Sequence, residues 1–519
     1  MHNFMLPTNF ARSLPCFEKK IDLQMMIRPL VFLTVFVACL ATQGFAQKGG
    51  KKAKDLPYSF EVTGVSDTAI YLANYYGEKL FYADTAFADS KGRFGFKEVA
   101  PEKEGKYAVV LPGQKYFEII IADGERIVMQ TDTTDYIDYM KITESENNKI
   151  MYAYIDFLAE KKTERERIFM EIEENEGNPE VTAALKAEYN RLNEAVIAYQ
   201  KAMPEKHPDK LAAREVAMGM EPEPPAELQE DREKAYYWYK RHYFDQFDLN
   251  DDRIVRLPIF HNKLMNYITK TVVQDPDTLI KAVDELVART EQGSEVFKYI
   301  VHYATYHFET SKIMGQDRVF VHMVDTYYKT GKADWMNEEN LDKITDKADS
   351  KRYTLIGNKL PELILADTAE TWISTHRDIK NKYLLVYFYD PDCGHCKKVT
   401  PKLVEFYKNY EGDLAVYAVS GNNDNKWLKF VKKNEMPFFN VSIPQKAYED
   451  ADFATSLLTG KKTNYHSLRY QEHYDVYSTP KLILTDGERR ILAKDIGVEQ
   501  LGEILERIEG SVKEPGAGM

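Results

Sequence analysis

Hydrophobic and polar positions change rhythm twice along the chain. From about residue 59 to 131, short apolar runs alternate with turn residues, as in Ala69–Ala73 and in Arg93–Phe96 after the turn Ser90-Lys91-Gly92. Asp123-Gly124 stands between the apolar runs Phe117–Ile121 and Ile127–Met129, the pattern of a β-hairpin. An N-terminal antiparallel β-sandwich is predicted over residues 58–140. The period then becomes helical. Ile150, Met151, Tyr154, Ile155 and Leu158 recur three and four apart, the mark of one buried stripe. Asn178-Pro179-Glu180 restarts a helix, since proline is tolerated in a first turn. The proline-rich stretch from Glu221 to Pro225 cannot continue one. The aromatic run from Ala235 to Phe244 predicts a helix that contributes to a core. An α-helical middle region is expected over 141–352. From 353 to 512 strands and helices alternate, the signature of an α/β domain.

The N-terminus has a different logic. Met25 or Met26 opens a segment with Arg28, an apolar run from Pro29 to Ala41, and the small residues of Gly44-Phe45-Ala46. This is the three-part pattern of a secretory signal peptide, expected over residues 1–46 with a true start at Met25 or Met26. The apolar run falls short of the ~20 residues a membrane-spanning helix needs. Lipid attachment at Cys39 is the less favoured variant, because Phe36 is bulky for it. A Lys/Gly tether follows over 47–57. Location in the periplasm or cell envelope is expected, where disulfides can persist. The chain has 519 residues and a formal charge of −13 with no long basic block, which argues against nucleic-acid binding.

Only two of the four cysteines, Cys393 and Cys396, lie outside the N-terminal segment that holds Cys16 and Cys39. The apolar run Tyr383–Tyr389 reads as a strand buried on both faces. Asp390-Pro391-Asp392 breaks it, and the periodic stretch after Cys393-Gly394-His395-Cys396 reads as a helix. The pair therefore sits at a helix N-terminus. An ordinary thiol has a pKa of ~8.5 and is only ~3% thiolate at pH 7. Free N–H groups and the helix dipole stabilise the thiolate there. Cys393 is the expected nucleophile, and Cys396 resolves the mixed disulfide, closing a Cys393–Cys396 disulfide. His395 adds a donor or partial positive charge, and Gly394 leaves room for a substrate chain. A zinc site would need a second ligand pair. His302 and His307 are five apart, the wrong spacing for one helical face, so no metal or cofactor is expected.

Residues from about Ile356 to Ile508 resemble the thioredoxin fold, and are most similar to exported thiol–disulfide oxidoreductases related to TlpA and ResA. Ile356–Pro361 resembles the opening of that group, and Pro401 matches its helix-kinking proline. Thr479-Pro480 matches its cis-proline, which faces the cysteine pair and offers backbone groups to a substrate chain. Asp486-Gly487 matches its terminal hairpin, and the Cys-Gly-His-Cys centre is identical in type to that of protein disulfide isomerases. The three-part architecture is similar to exported proteins of Bacteroidetes-type bacteria. The resemblance implies reduction or isomerisation of protein disulfides, protein thiol or disulfide substrates, and a membrane electron donor. Two departures stand out: Tyr387 replaces the buried aspartate of thioredoxins, and Asp392 replaces the usual tryptophan. The acidic Asp392 is expected to oppose thiolate formation. An insertion, including Tyr448 to Tyr474, separates Cys396 from Pro480. The alternative reading is a non-catalytic envelope scaffold whose cysteine pair only switches contact. A peroxidase is disfavoured, since a vicinal pair stands where that class needs a lone cysteine.

Overall fold

The computed structural model describes residues 53–512. The expected signal segment, Cys16, Cys39 and the start of the expected tether lie outside the described residues.

Eight strands form the N-terminal part. They are β1 (Tyr58–Thr63), β2 (Ala69–Tyr76), β3 (Lys79–Phe87), β4 (Arg93–Phe96), β5 (Gly105–Val110), β6 (Tyr116–Ile121), β7 (Ile127–Asp132) and β8 (Lys141–Glu144). They make two four-stranded sheets, in the orders β4-β1-β7-β8 and β3-β2-β5-β6. Alternate residues of β1 and β2 point inward, as period-two strands require. Phe60 meets Phe94, Phe96 and Phe117 at ring distances of 5.4, 6.0 and 6.0 Å. One pair, β1 with β7, is parallel, so the expected antiparallel pattern holds for the other pairs only.

Asp123-Gly124 does not close a hairpin. The turn is real: Glu125 N donates to Ala122 O at 3.1 Å, and both central residues have positive φ, 58° and 63°. Its flanking strands, however, belong to different sheets. Both carry apolar residues into the shared core, Phe117, Ile119 and Ile121 on β6, Ile127 and Met129 on β7. The turn folds them across that core rather than edge to edge. Its acidic side chains then serve as a socket for the helical region. Asp123 accepts from Arg253 Nη1 at 3.0 Å and from Asn147 Nδ2 at 2.8 Å. Glu125 accepts from Ser145 Oγ, Asn147 N and Lys210 Nζ at 2.7, 3.0 and 2.5 Å.

Helices of eight residues or more are numbered here. The middle region holds α1 (Glu146–Glu174), α2 (Pro179–Lys206), α3 (Leu211–Met218), α4 (Arg232–His242), α5 (Pro258–Asn266), α6 (Pro276–Val287), α7 (Glu295–Thr310) and α8 (Glu338–Arg352). Asn178 caps α2 by accepting from Val181 N. Sheets and helices share one continuous apolar core, from Tyr58 to Ala348. The aromatic run of α4 contributes less to it than its composition suggests. Within the helix only Ala235 is buried, and the deeply packed rings are Tyr243 and Phe244 just beyond its end. Tyr237 is exposed, while Tyr236, Trp238 and Tyr239 are half-buried, Tyr239 against the core.

The C-terminal domain has one seven-stranded sheet. Its strands are β9 (Ile364–Asp367), β10 (Trp372–Ser374), β11 (Tyr383–Tyr389), β12 (Leu414–Ser420), β13 (Phe439–Ser442), β14 (Lys481–Thr485) and β15 (Ile491–Lys494), in the order β10-β9-β13-β12-β11-β14-β15. β11 to β13 run parallel, while β14 is antiparallel to β11 and β15. Asp486-Gly487 does lie in the β14–β15 hairpin. The helices are α9 (Gly394–Asn409), α10 (Asn425–Lys433), α11 (Ala451–Thr459) and α12 (Val498–Val512). Every residue of β11 is buried. Tyr383, Leu385, Tyr387 and Tyr389 face one core, and Leu384, Val386 and Phe388 face the other. The expected insertion covers the second face, with Tyr470 stacked on Phe388 at 5.4 Å. This is the thioredoxin-like arrangement that the resemblance implied.

α1 seals the free edge of β6. Asn148 is fully buried; its Nδ2 donates to Ile120 O at 2.8 Å, and its Oδ1 accepts from Ile120 N at 2.9 Å. Tyr152, one turn on, donates to Glu118 O at 3.0 Å. Replacing Asn148 by Leu leaves a buried N–H and C=O unpaired, each costing about 1–3 kcal/mol. Asn148→Leu should lower the denaturant midpoint and speed amide hydrogen exchange at Ile120 at least tenfold, about 1.4 kcal/mol or more of local opening energy.

Candidate active site

The sulfur of Cys393 sits where β11 hands over to α9. Cys393 is the N-cap, with φ −67° and ψ 124°. The first N–H groups of a helix have no partner within it. Here Cys396 N points to Cys393 Sγ at 3.5 Å. Cys393 Sγ in turn lies 3.3 Å from Thr479 O, next to the cis Thr479–Pro480 bond. Thus the structure brings Cys393, Cys396 and the Thr479-Pro480 loop together, although 86 residues separate Cys393 from Thr479.

The two thiols are unequal. Cys393 is half-buried and Cys396 wholly buried. Desolvation pushes the Cys393 thiol up, but hydrogen bonds from the Cys396 N–H, the Cys396 and Thr479 side chains and the His395 N–H outweigh it, so its pKa is lowered. Burial dominates at Cys396, whose pKa is pushed up to about 11. Both are free thiols in this structure, the reduced state of the pair.

His395 is exposed, and its main-chain N–H, rather than its ring, reaches the sulfur. Gly394 is exposed too, and a Cβ there would meet nothing within 4 Å. The protein's own packing does not demand glycine, so the open space lies on the side from which another chain can approach. Asp392 does not act as a bare opposing charge. Lys426 Nζ on α10 holds its carboxylate at 2.7 Å, and this hydrogen bond keeps the Asp392 pKa low. The pair is solvent-exposed and leaves little net charge beside the thiol. Lys426 is 34 residues away, and no local spacing announced it.

The floor of the site is aromatic. Tyr387 and Tyr389 project from β11 on the Cys396 side, with rings stacked at 5.1 Å. Thr400 Oγ1 donates its one proton to Cys396 O at 2.9 Å, so it accepts from Tyr387 OH at 2.8 Å. Burial raises the Tyr387 pKa far above its ordinary value. Tyr387 therefore stays a protonated phenol, and through Thr400 it ties β11 to the first turns of α9. Thr400, four residues after Cys396, was legible as a same-face neighbour by helical spacing alone.

With the Cys393 value below that of an ordinary thiol, the thiolate persists through the interval between the two and disappears as pH falls through the folded value. In a Cys396→Ala protein, which keeps the N–H groups and loses only the side-chain contribution of Cys396, the iodoacetamide reaction of Cys393 should show its midpoint below that of free cysteine measured alongside. Lys426→Met should move that midpoint upward, because Asp392 would then stand unpaired.

Residues 356–456 match the AhpC/TSA family, and residues 196–351 match a domain of unknown function, DUF5106. No curated protein matches the chain. Among solved structures, a domain of a possible thiol-disulfide isomerase from Cytophaga hutchinsonii is 32% identical, with 31% of this chain and 97% of that one covered and a TM-score of 0.25. A thioredoxin-like protein from Bacteroides caccae is 17% identical, with 56% and 98% covered and a TM-score of 0.40. The thioredoxin domain of a thiol-disulfide oxidoreductase from Bacteroides vulgatus is 24% identical, with 30% and 96% covered and a TM-score of 0.24. The C-terminal part of this chain is thus a thioredoxin-like domain whose residues 356–456 match the AhpC/TSA family, with a cysteine pair at the start of its first long helix.

Proposed function

We propose that this chain is an exported thiol–disulfide oxidoreductase that reduces or isomerises disulfides of other proteins in the periplasm or cell envelope. One observation carries the reading: an accessible sulfur of lowered pKa, capped by N–H groups, lies one turn from a buried thiol of raised pKa. The signal-like segment at Arg28 to Ala46 supports export. No helix among the described residues is long and apolar enough to cross a membrane.

In the reaction, the Cys393 thiolate attacks one sulfur of a client disulfide. The client S–S bond breaks, a mixed disulfide forms, and the released client thiolate takes up a proton. Cys396 then attacks Cys393 Sγ, and its proton passes to the client sulfur that leaves. That second exchange breaks the mixed disulfide, frees the second client thiol, and leaves the Cys393–Cys396 disulfide. The client gains two electrons and the enzyme loses two. A dithiol donor, supplied from the membrane, resets the pair; in isomerisation the client's own thiol performs the reversal. While Cys396 stays protonated it does not attack, so the mixed disulfide persists long enough for a client to rearrange. Thr479, with its carbonyl beside Cys393, and Pro480 line the place where the client backbone lies.

Insulin reduction with dithiothreitol as donor tests the reading. The purified protein should accelerate it, and Cys393→Ser should return the rate to that of dithiothreitol alone. Cys396→Ala should accumulate covalent mixed disulfides, visible on non-reducing gels. Full insulin reduction by Cys393→Ser would overturn Cys393 as the nucleophile, and a Cys393→Ser protein that still performed its cellular task would leave only the scaffold reading.

A further inference from the structure

The seam between the helical region and the redox domain runs beside the Thr479–Pro480 loop. Ser350 Oγ on α8 lies 3.2 Å from Tyr477 OH. Tyr353, three residues after Ser350, packs on His473 and His466 at ring distances of 5.0 and 5.6 Å. Tyr465 meets His473 at 5.3 Å. Tyr353, His466, His473 and Tyr465 form one ring cluster across the seam, and Tyr477 joins the same seam through its hydroxyl on Ser350. Tyr477, Tyr465 and Tyr353 are 68%, 52% and 38% exposed. The surface begins two residues before Thr479, whose carbonyl is 3.3 Å from the Cys393 sulfur. Two residues of chain span at most about 7 Å.

Charges along this seam are spent on one another. Lys351 and Lys481 both hold Asp475, at 3.2 and 3.1 Å, and Arg469 holds Glu472 at 2.5 Å. The imidazoles of His466 and His473 share an Nδ1···Nδ1 hydrogen bond of 2.9 Å, which requires one of the two nitrogens to be bare. Arg469 also lies over the Tyr465 ring at 5.5 Å and donates to its hydroxyl. What remains for a partner is the exposed area of the Tyr477 and Tyr353 rings and the part of Tyr465 that Arg469 leaves open, which gives contact area at small entropic cost.

We propose that this surface binds the client polypeptide on one side of its reacting cysteine and favours segments with aromatic or aliphatic residues there. The occupant is an extended, neutral, apolar stretch of the client. The inference rests on the dithiol reading for its chemistry, and its binding step stands apart from that reading. It also gives α8, at the end of the DUF5106 match, a place in client selection.

Two peptides test it, identical except for Phe and Leu against Ser in the positions flanking one cysteine. Cysteine-free, fluorescein-labelled versions report binding to the full chain by anisotropy, and disulfide-linked versions report turnover. The apolar peptide should bind at least about fivefold tighter than the serine peptide, about 1 kcal/mol. That preference should collapse in Tyr477→Ser and Tyr465→Ser and survive in Tyr477→Phe, which keeps the ring and loses only the hydroxyl. Equal binding of the two peptides, or an unchanged preference in both serine variants, would overturn the proposal. Retained discrimination with no turnover of either disulfide would instead defeat the redox reading and leave the surface standing.

Discussion

A helix must begin somewhere, and its first N–H groups need acceptors. At the start of α9 that requirement is met by sulfur. Cys393 stands at the cap, and the N–H of Cys396 turns to its Sγ. Every other feature of the site adjusts the consequence of that placement. β11, buried along its whole length, fixes where the helix starts. Lys426 removes the penalty of Asp392, and Tyr387 with Thr400 fastens the turn that carries Cys396. The difference between the two thiols follows from depth: one reaches solvent and the other does not.

The helical region is joined to this centre by buried polar contacts as well as by chain. Lys494 on β15 pairs with Asp317 and donates to Thr354 Oγ1 at 3.2 Å. Lys481, directly after Pro480, shares Asp475 with Lys351. Removing either partner of such a pair strands a charge, which costs more than the pair contributes. The loop beside Cys393 is therefore braced from outside the thioredoxin-like domain.

The sequence exposed what depends on neighbours in the chain. Continuous apolarity made β11 plain, and the break at Asp390-Pro391 placed the cysteine pair at a helix start. The turn at Asp123-Gly124 was legible as a turn because its backbone demand is local. The sheet each flanking strand joins was not, since β7 finds its partner in β1. Similarly, the aromatic run at α4 declared large side chains but not their direction. Thr479 and Pro480 came from resemblance alone, and Lys426 from neither source. Both reach the sulfur's surroundings through the fold, across separations that no period encodes.

The amide of Asn148 and the hydroxyl of Tyr152 occupy the outward backbone groups of Ile120 and Glu118. Those groups are what a stray strand would use to extend the sheet. Two side chains on one helix thus act as a guard against self-association, and any lesion that loosens the start of α1 would expose a template for aggregation.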